Sequence, residues 1–180
     1  GYKAADNMGN SFGAMEEARY LSGVVAGKAS ASGKLGYVAA FPIPEVLRGI
    51  NAFTLGARSV NPAATVQVAW TSTWYDPAKE KEAAQSLLAA GADVLAQHQD
   101  SSATGEAAKE AGAKWVGYNS DVKAADFPDT WLTSPVWNWG PHYVKLAKDV
   151  AAGTCDNSPY YGNMADGMIT LGAYGSSVSQ

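Results

Sequence analysis

Four short segments carry most of the residue types able to hold a small molecule. They are residues 71–76 (TSTWYD), 97–100 (QHQD), 119–121 (NSD) and 135–141 (PVWNWGP). Each sets aromatic or imidazole rings, amides or carboxylates at short spacing. Rings supply flat apolar walls with polarised edges, and amides and carboxylates supply directional hydrogen bonds. A cleft so lined suits a flat heteroaromatic or a polyhydroxyl ligand. Phe41, closing the first apolar run, joins the set. The candidate contacts are therefore Phe41, Trp74, Tyr75, His98, Gln99, Asp100, Asn119, Asp121, Trp137, Asn138 and Trp139.

Each candidate has a structural alternative. Trp74 and Tyr75 can cover a helix start or line an interdomain contact. His98, Gln99 and Asp100 can serve hydrogen bonds within their own loop, and Asn119 and Asp121 an Asx-type turn. One of the indoles of Trp137 and Trp139 is expected to pack structurally, since both rings do not easily face one small ligand.

Reactive constellations are scarce. His98 and His142 stand apart, with neither HxxxH nor HExxH spacing, so no dedicated zinc site is expected. No GxSxG elbow occurs, and Cys155 lies in AAGTCDNS without an evident base beside it. No GxxxxGK[ST] cradle occurs, and Gly33 and Gly36 precede the first strand instead of following it. A carboxylate pair stays open, because sequence gives no separations. The pattern favours binding over turnover, without a cofactor. A net charge of -4 and no Lys/Arg cluster make nucleic acid a poor partner. A single cysteine precludes an intrachain disulfide. No signal peptide is visible.

The four segments need elements that bring them to one level. Leu35 to Phe41 is an apolar run too short for a membrane span, closed by Pro42 and Pro44. It reads as a strand buried on both faces, hence a parallel sheet covered by helices. Val46, Leu47, Ile50, Phe53, Thr54 and Ala57 then share a helical face, stopped at Asn61-Pro62. Residues 65–71 give a second strand. Asp76 and Pro77 read as N-cap and first helical residue, and Lys79 at the third position leaves no capping-box acid. That helix turns Ala83, Ala84, Leu87 and Leu88 inward and ends at Gly91. Residues 93–97, 114–118 and 131–133 read as further strands, and 104–111 and 141–150 as helices. Tyr143, Val144, Ala147 and Val150 make one stripe of the last helix. Trp70, Trp115 and Trp131 lie within strands and are read as core. Repeated strand–helix steps imply right-handed crossovers, with ligands beyond the carboxyl ends of the strands.

Before the sheet, Met15, Ala18, Leu21, Val24 and Val25 recur at helical spacing. Residues 28–33 (KASASG) then read as a linker or hinge, which places the opening helix in a different body. After it, residues 155–180 break the rhythm, with a loop at 159–162 and a strand at 168–171.

Several of these stretches together resemble one family. ARYLSGVVAG (18–27), the run 34–62, WTSTWYDPAKEKEAAQSLLAAGADVLAQHQD (70–100), GYNSD (117–121), LTSPVWNWGP (132–141) and NMADGMITLG (163–172) are similar to the basic membrane protein (BMP) solute-binding proteins of ABC transporters. The resemblance implies an α/β, type I periplasmic-binding fold of two lobes. Residues 1–30 and 153–180 would belong to lobe one and 34–152 to lobe two. It also implies capture of a purine base or nucleoside between the lobes, delivery to a membrane permease, and a periplasmic or membrane-anchored location. The family commonly has an acid where Asn119 stands, whereas Asp121 is retained. Nucleoside-binding members often carry a small, glycine-rich tip where this chain has QHQD, which points to a free base such as adenine. Asp166 resembles a family acid reaching in from the other lobe, and residues 7–10 approach from the same side. Family members are longer, so strands without sheet partners make self-association an expectation. Two rivals are the effector-binding domain of a transcription regulator, which shares this topology, and a nucleoside-processing enzyme.

Overall fold

The computed structural model describes Ala5 and residues 7–178; of the stretch 2–13, which reads as polar and aperiodic, residues 2–4 and 6 lie outside the described residues. The chain begins with β1 (Ser11–Gly13) and α1 (Met15–Ala29). It continues through β2 (Lys34–Ala39), α2 (Pro44–Val60), β3 (Thr65–Trp70) and α3 (Pro77–Ala89). Next come β4 (Val94–His98), α4 (Ala103–Glu110), β5 (Lys114–Val116) and β6 (Trp131–Thr133). Strands β2 to β6 form one parallel sheet in the order β3-β2-β4-β5-β6. On one face Leu35, Tyr37, Val94 and Ala96 pack on Ile50 and Phe53 of α2; on the other Val38 and Leu95 meet Leu87, Ala107 and Trp115. Burial on both faces is why β2 and β4 lack the polar alternation of a half-exposed strand.

The tryptophans divide by strand position. Trp115 and Trp131 are buried and meet edge to face, centroids 5.2 Å apart. Trp70 is 41% exposed, contrary to its reading as core, because β3 forms an edge of the sheet.

Helix α1 corrects two expectations. The linker reading placed it in a separate body and the spacing turned Met15, Ala18, Leu21, Val24 and Val25 inward, but it lies against α2, where Ala26 joins the core beneath β2 and Val25 packs on that core. Its buried residues are Met15, Ala18, Arg19, Ser22, Gly23, Ala26 and Gly27, while Leu21 is exposed. The reason is close backbone approach. A Cβ on Gly23 would stand 2.1 Å from Phe53 O, and one on Gly56 would stand 1.9 Å from Tyr20 O. The small face wins because two helices touching backbone to backbone gain more contact than larger side chains could at that spacing.

The 28–33 stretch is fastened rather than hinged. The Asp93 carboxylate accepts hydrogen bonds from Ser30 Oγ (2.6 Å), Ser32 N (2.7 Å) and Ala31 N (2.8 Å). Burial alone would raise the Asp93 carboxyl, but these bonds outweigh it and hold it below its ordinary 3.8. A lowered folded-state value means that the stabilisation is complete above the unfolded value and lost as pH falls through the folded one. Asp93→Ala is expected to cost about 1–2 kcal/mol at neutral pH. In chemical denaturation, the gap between the two proteins should close only below pH 3.8.

Asp76 caps α3 as expected, its Oδ1 accepting from Lys79 N at 3.1 Å. A reciprocal acid exists after all, one position later than a capping box requires. The Oε1 of buried Glu80 accepts from Asp76 N at 3.1 Å, and its other oxygen accepts from Ser101 Oγ. One carboxylate thus ties the β3 tip to the loop after β4.

Beyond the sheet are β7 (Pro135–Trp137), α5 (Trp139–Ala151), β8 (Tyr160–Gly162) and β9 (Ile169–Leu171). Strand β1 pairs parallel with β8, and β7 pairs antiparallel with β9. The final segment returns to the sheet: Gly172 N donates to Ser134 O and Gly175 N to Leu132 O, alongside β6. The Tyr143, Val144 and Val150 stripe of α5 is exposed, and among its described residues only His142 is buried. Among the described residues no helix is long and apolar enough to cross a membrane.

Candidate ligand-binding site

Strand order reverses direction between β2 and β4, which opens a crevice beyond their carboxyl ends. Phe41 follows β2, Trp74 lies in the loop after β3, and His98 closes β4. They make a continuous run of rings. Phe41 and Trp74 have centroids 5.4 Å apart, Trp74 and His98 6.0 Å, and His98 and Tyr118 4.8 Å. Asp100 N donates to Trp74 O at 3.1 Å, pinning the Trp74 loop to the β4 tip. Trp74 is 39% exposed, so one part of its indole stays open to a ligand.

Arg19 lies beneath this wall. It is 1% exposed, its Nη1 donates to Gln97 O at 3.0 Å, and its guanidinium sits 5.0 Å from the Tyr118 centroid. Its Nη2 donates to Asn119 Oδ1 at 3.5 Å. A water-sized cavity of about 10 Å³ is shared by Arg19, Glu45, His98 and Phe12. Burial, assisted by the Arg19 charge, pushes His98 down to about 3. The ring is therefore neutral at physiological pH, and its 3.5 Å approach to Glu45 Oε1 is a polar contact between a neutral imidazole and a carboxyl, not an ion pair. Burial raises the Glu45 carboxyl, opposed by Arg19 and Arg48, and burial likewise raises the Tyr118 phenol and the Asp100 carboxyl. Three buried atoms here, Arg19 Nε, His98 Nδ1 and Gln99 Oε1, lack hydrogen-bond partners among the described residues.

The remaining candidates divide. Gln99 is fully buried and its amide donates to Thr71 Oγ1, bracing the β3 and β4 tips. Tyr75 is 64% exposed. The Asp121 carboxylate accepts from Ala173 N at 3.2 Å and so is engaged with the returning tail. Asn138 Nδ2 donates to Gly167 O at 2.9 Å, and Asp166 exchanges hydrogen bonds with Asn163 within one turn. Trp137 and Trp139 stack at 4.9 Å, and Tyr143 stacks on Trp139 at 5.6 Å. Phe12 links the two ring groups, since it lines the small cavity and meets Trp137 edge-on at 5.3 Å.

Sequence reasoning missed Arg19, Glu45, Tyr118 and Phe12. Arg19 carried a signal, since it falls at helical spacing with Met15, Ser22, Gly23 and Ala26. An arginine on a face of small residues asks for buried partners.

The sheet order and the helices on both faces define a type I periplasmic-binding fold. A solved structure described as a transcriptional activator of the comK gene from Bacillus halodurans superposes with a TM-score of 0.82. It is 30% identical and covers 94% of this chain and 58% of its own. The family described as PnrA-like ABC transporter substrate-binding proteins matches residues 1–174, and the chain belongs to it. A putative ABC transporter glucose-binding protein of Haloferax volcanii is 43% identical over the whole chain and 46% of its own length. A purine-binding protein of Brucella abortus is also 43% identical, over 97% of this chain and 49% of its own. The chain spans about half the length of these curated relatives.

Proposed function

We propose that this chain belongs to the substrate-binding component of an ABC importer and captures a purine-type ligand, adenine-like in its free-base form, at the carboxyl ends of β2, β3 and β4. The observation that carries this is the run Phe41–Trp74–His98–Tyr118, in which a neutral imidazole continues an aromatic wall. Stacking on such a wall is worth about 0.5–1.5 kcal/mol per ring pair beyond the buried area. Asp100 and Asn119 stand beside the wall to bind the ring edge, Trp137 and Trp139 join it through Phe12, and Asp121 and Asp166 complete the candidate set. Capture ends with closure of the two lobes and delivery to a permease, in the periplasm or at the outer face of the membrane.

Two equally identical relatives carry different ligand names, a purine and glucose. Sugar sites surround a ring of hydroxyls with several paired polar side chains, whereas at this wall rings outnumber free carboxylates and amides. Calorimetry on the full-length protein with adenine, adenosine and glucose separates the two. Micromolar or tighter binding of a purine is expected; heat with glucose alone would reject the reading. The Bacillus halodurans structure described as a transcriptional activator supports a second reading, an effector-binding domain. A helix-turn-helix segment in the full-length sequence would favour it.

A further inference from the structure

Asn119 stands at the tip of β5 with φ +56°, the left-handed region that a side chain other than glycine enters at a cost. Asparagine tolerates that region better than most, but something must hold it. The holder is Arg19, a buried guanidinium with no ion pair among the described residues and an Nε without a partner. An amide beside a guanidinium turns its oxygen inward, because Nδ2 would set donors against donors. The planar amide then carries Nδ2 on the branch away from Arg19, and Nδ2 has no partner among the described residues.

We propose that Arg19 is a positioning residue that locks the Asn119 amide with Nδ2 outward, so that the site selects a ligand edge bearing an acceptor, a ring nitrogen or a carbonyl oxygen. The inference rests on the purine reading for its ligand and deepens it. An aspartate at this tip would present only acceptors and would favour a donor edge instead. The choice of amide over acid thus acts as a specificity element, with its sense set from α1.

Asn119→Asp in the full-length protein tests both halves. A carboxylate beside the unpaired Arg19 should raise Tm by about 2–4 °C, even without ligand. In an Arg19→Met background that gain should vanish. A Tm that falls in the single variant would overturn the Arg19–Asn119 coupling. Affinity for the purine that binds the native protein should drop about tenfold or more, because an acceptor then faces an acceptor. A raised Tm with unchanged purine affinity would overturn the donor role. If the native protein binds no purine, the ligand reading falls, and the thermal arm still decides the coupling. If Arg19→Met does not fold, the single variant's Tm and affinity decide alone.

Discussion

Gly56→Ala is expected to destabilise the protein by about 2 kcal/mol or more, lowering Tm by about 4–8 °C. Two effects oppose each other. Alanine favours helix over glycine by about 1 kcal/mol. Against that, the added Cβ would lie 1.9 Å from Tyr20 O and 2.9 Å from Tyr20 C, so no side-chain rotation relieves it. The helices must part, and overpacking of a rigid contact costs more than the propensity gained. Gly49→Ala is the control in the same helix, since the three atoms nearest its Cβ would all belong to the Arg19 side chain, at an ordinary 3.5 Å or more. It should be neutral or slightly stabilising. Equal losses in both variants, measured by thermal denaturation, would mean that the crossing is not the constraint. The same change should reach the site, because α1 carries Arg19. Purine affinity should therefore fall in Gly56→Ala although the substitution is remote from the wall.

Trp74→Ala is expected to weaken purine binding by about 30-fold or more while leaving Tm nearly unchanged. Truncating a tryptophan that anchors a ligand commonly costs about 2 kcal/mol or more. Stability should hold because Trp74 is 39% exposed and lies in a loop outside the two sheet cores. Its ring contacts are with Phe41 and His98, and His98 keeps Tyr118 and Glu45 as neighbours. Calorimetry with native and variant proteins checks this directly. Unchanged affinity would remove the indole from the site and with it the stacking account. A large drop in Tm would instead make Trp74 a structural ring.

The strand runs were legible because burial on both faces leaves no polar alternation, and proline and glycine punctuate them. The Asp76 cap was legible because its chemistry is local. Glu80 was not, since it answers Asp76 from outside the usual spacing and gains its second bond from Ser101, a residue of another loop. The α1 face was misread for the same kind of reason. Periodicity ranks residues by apolar size, whereas a glycine-mediated crossing buries the smallest ones. The backbone bonds of Asp121 to Ala173 and of Asn138 to Gly167 were not legible either, since their partners lie 52 and 29 residues away in the chain.

Sequence by itself determined the class of the sheet, the level at which its tips lie, and the chemistry available there. These follow from local pattern and from the chirality of strand–helix–strand steps. Which tip residues form one wall, and which serve the chain's own backbone, was decided only in three dimensions. Arg19 shows the reason. Its charge is neutral information in a helix until packing against α2 denies it water, and only then must Gln97, Tyr118 and Asn119 gather around it.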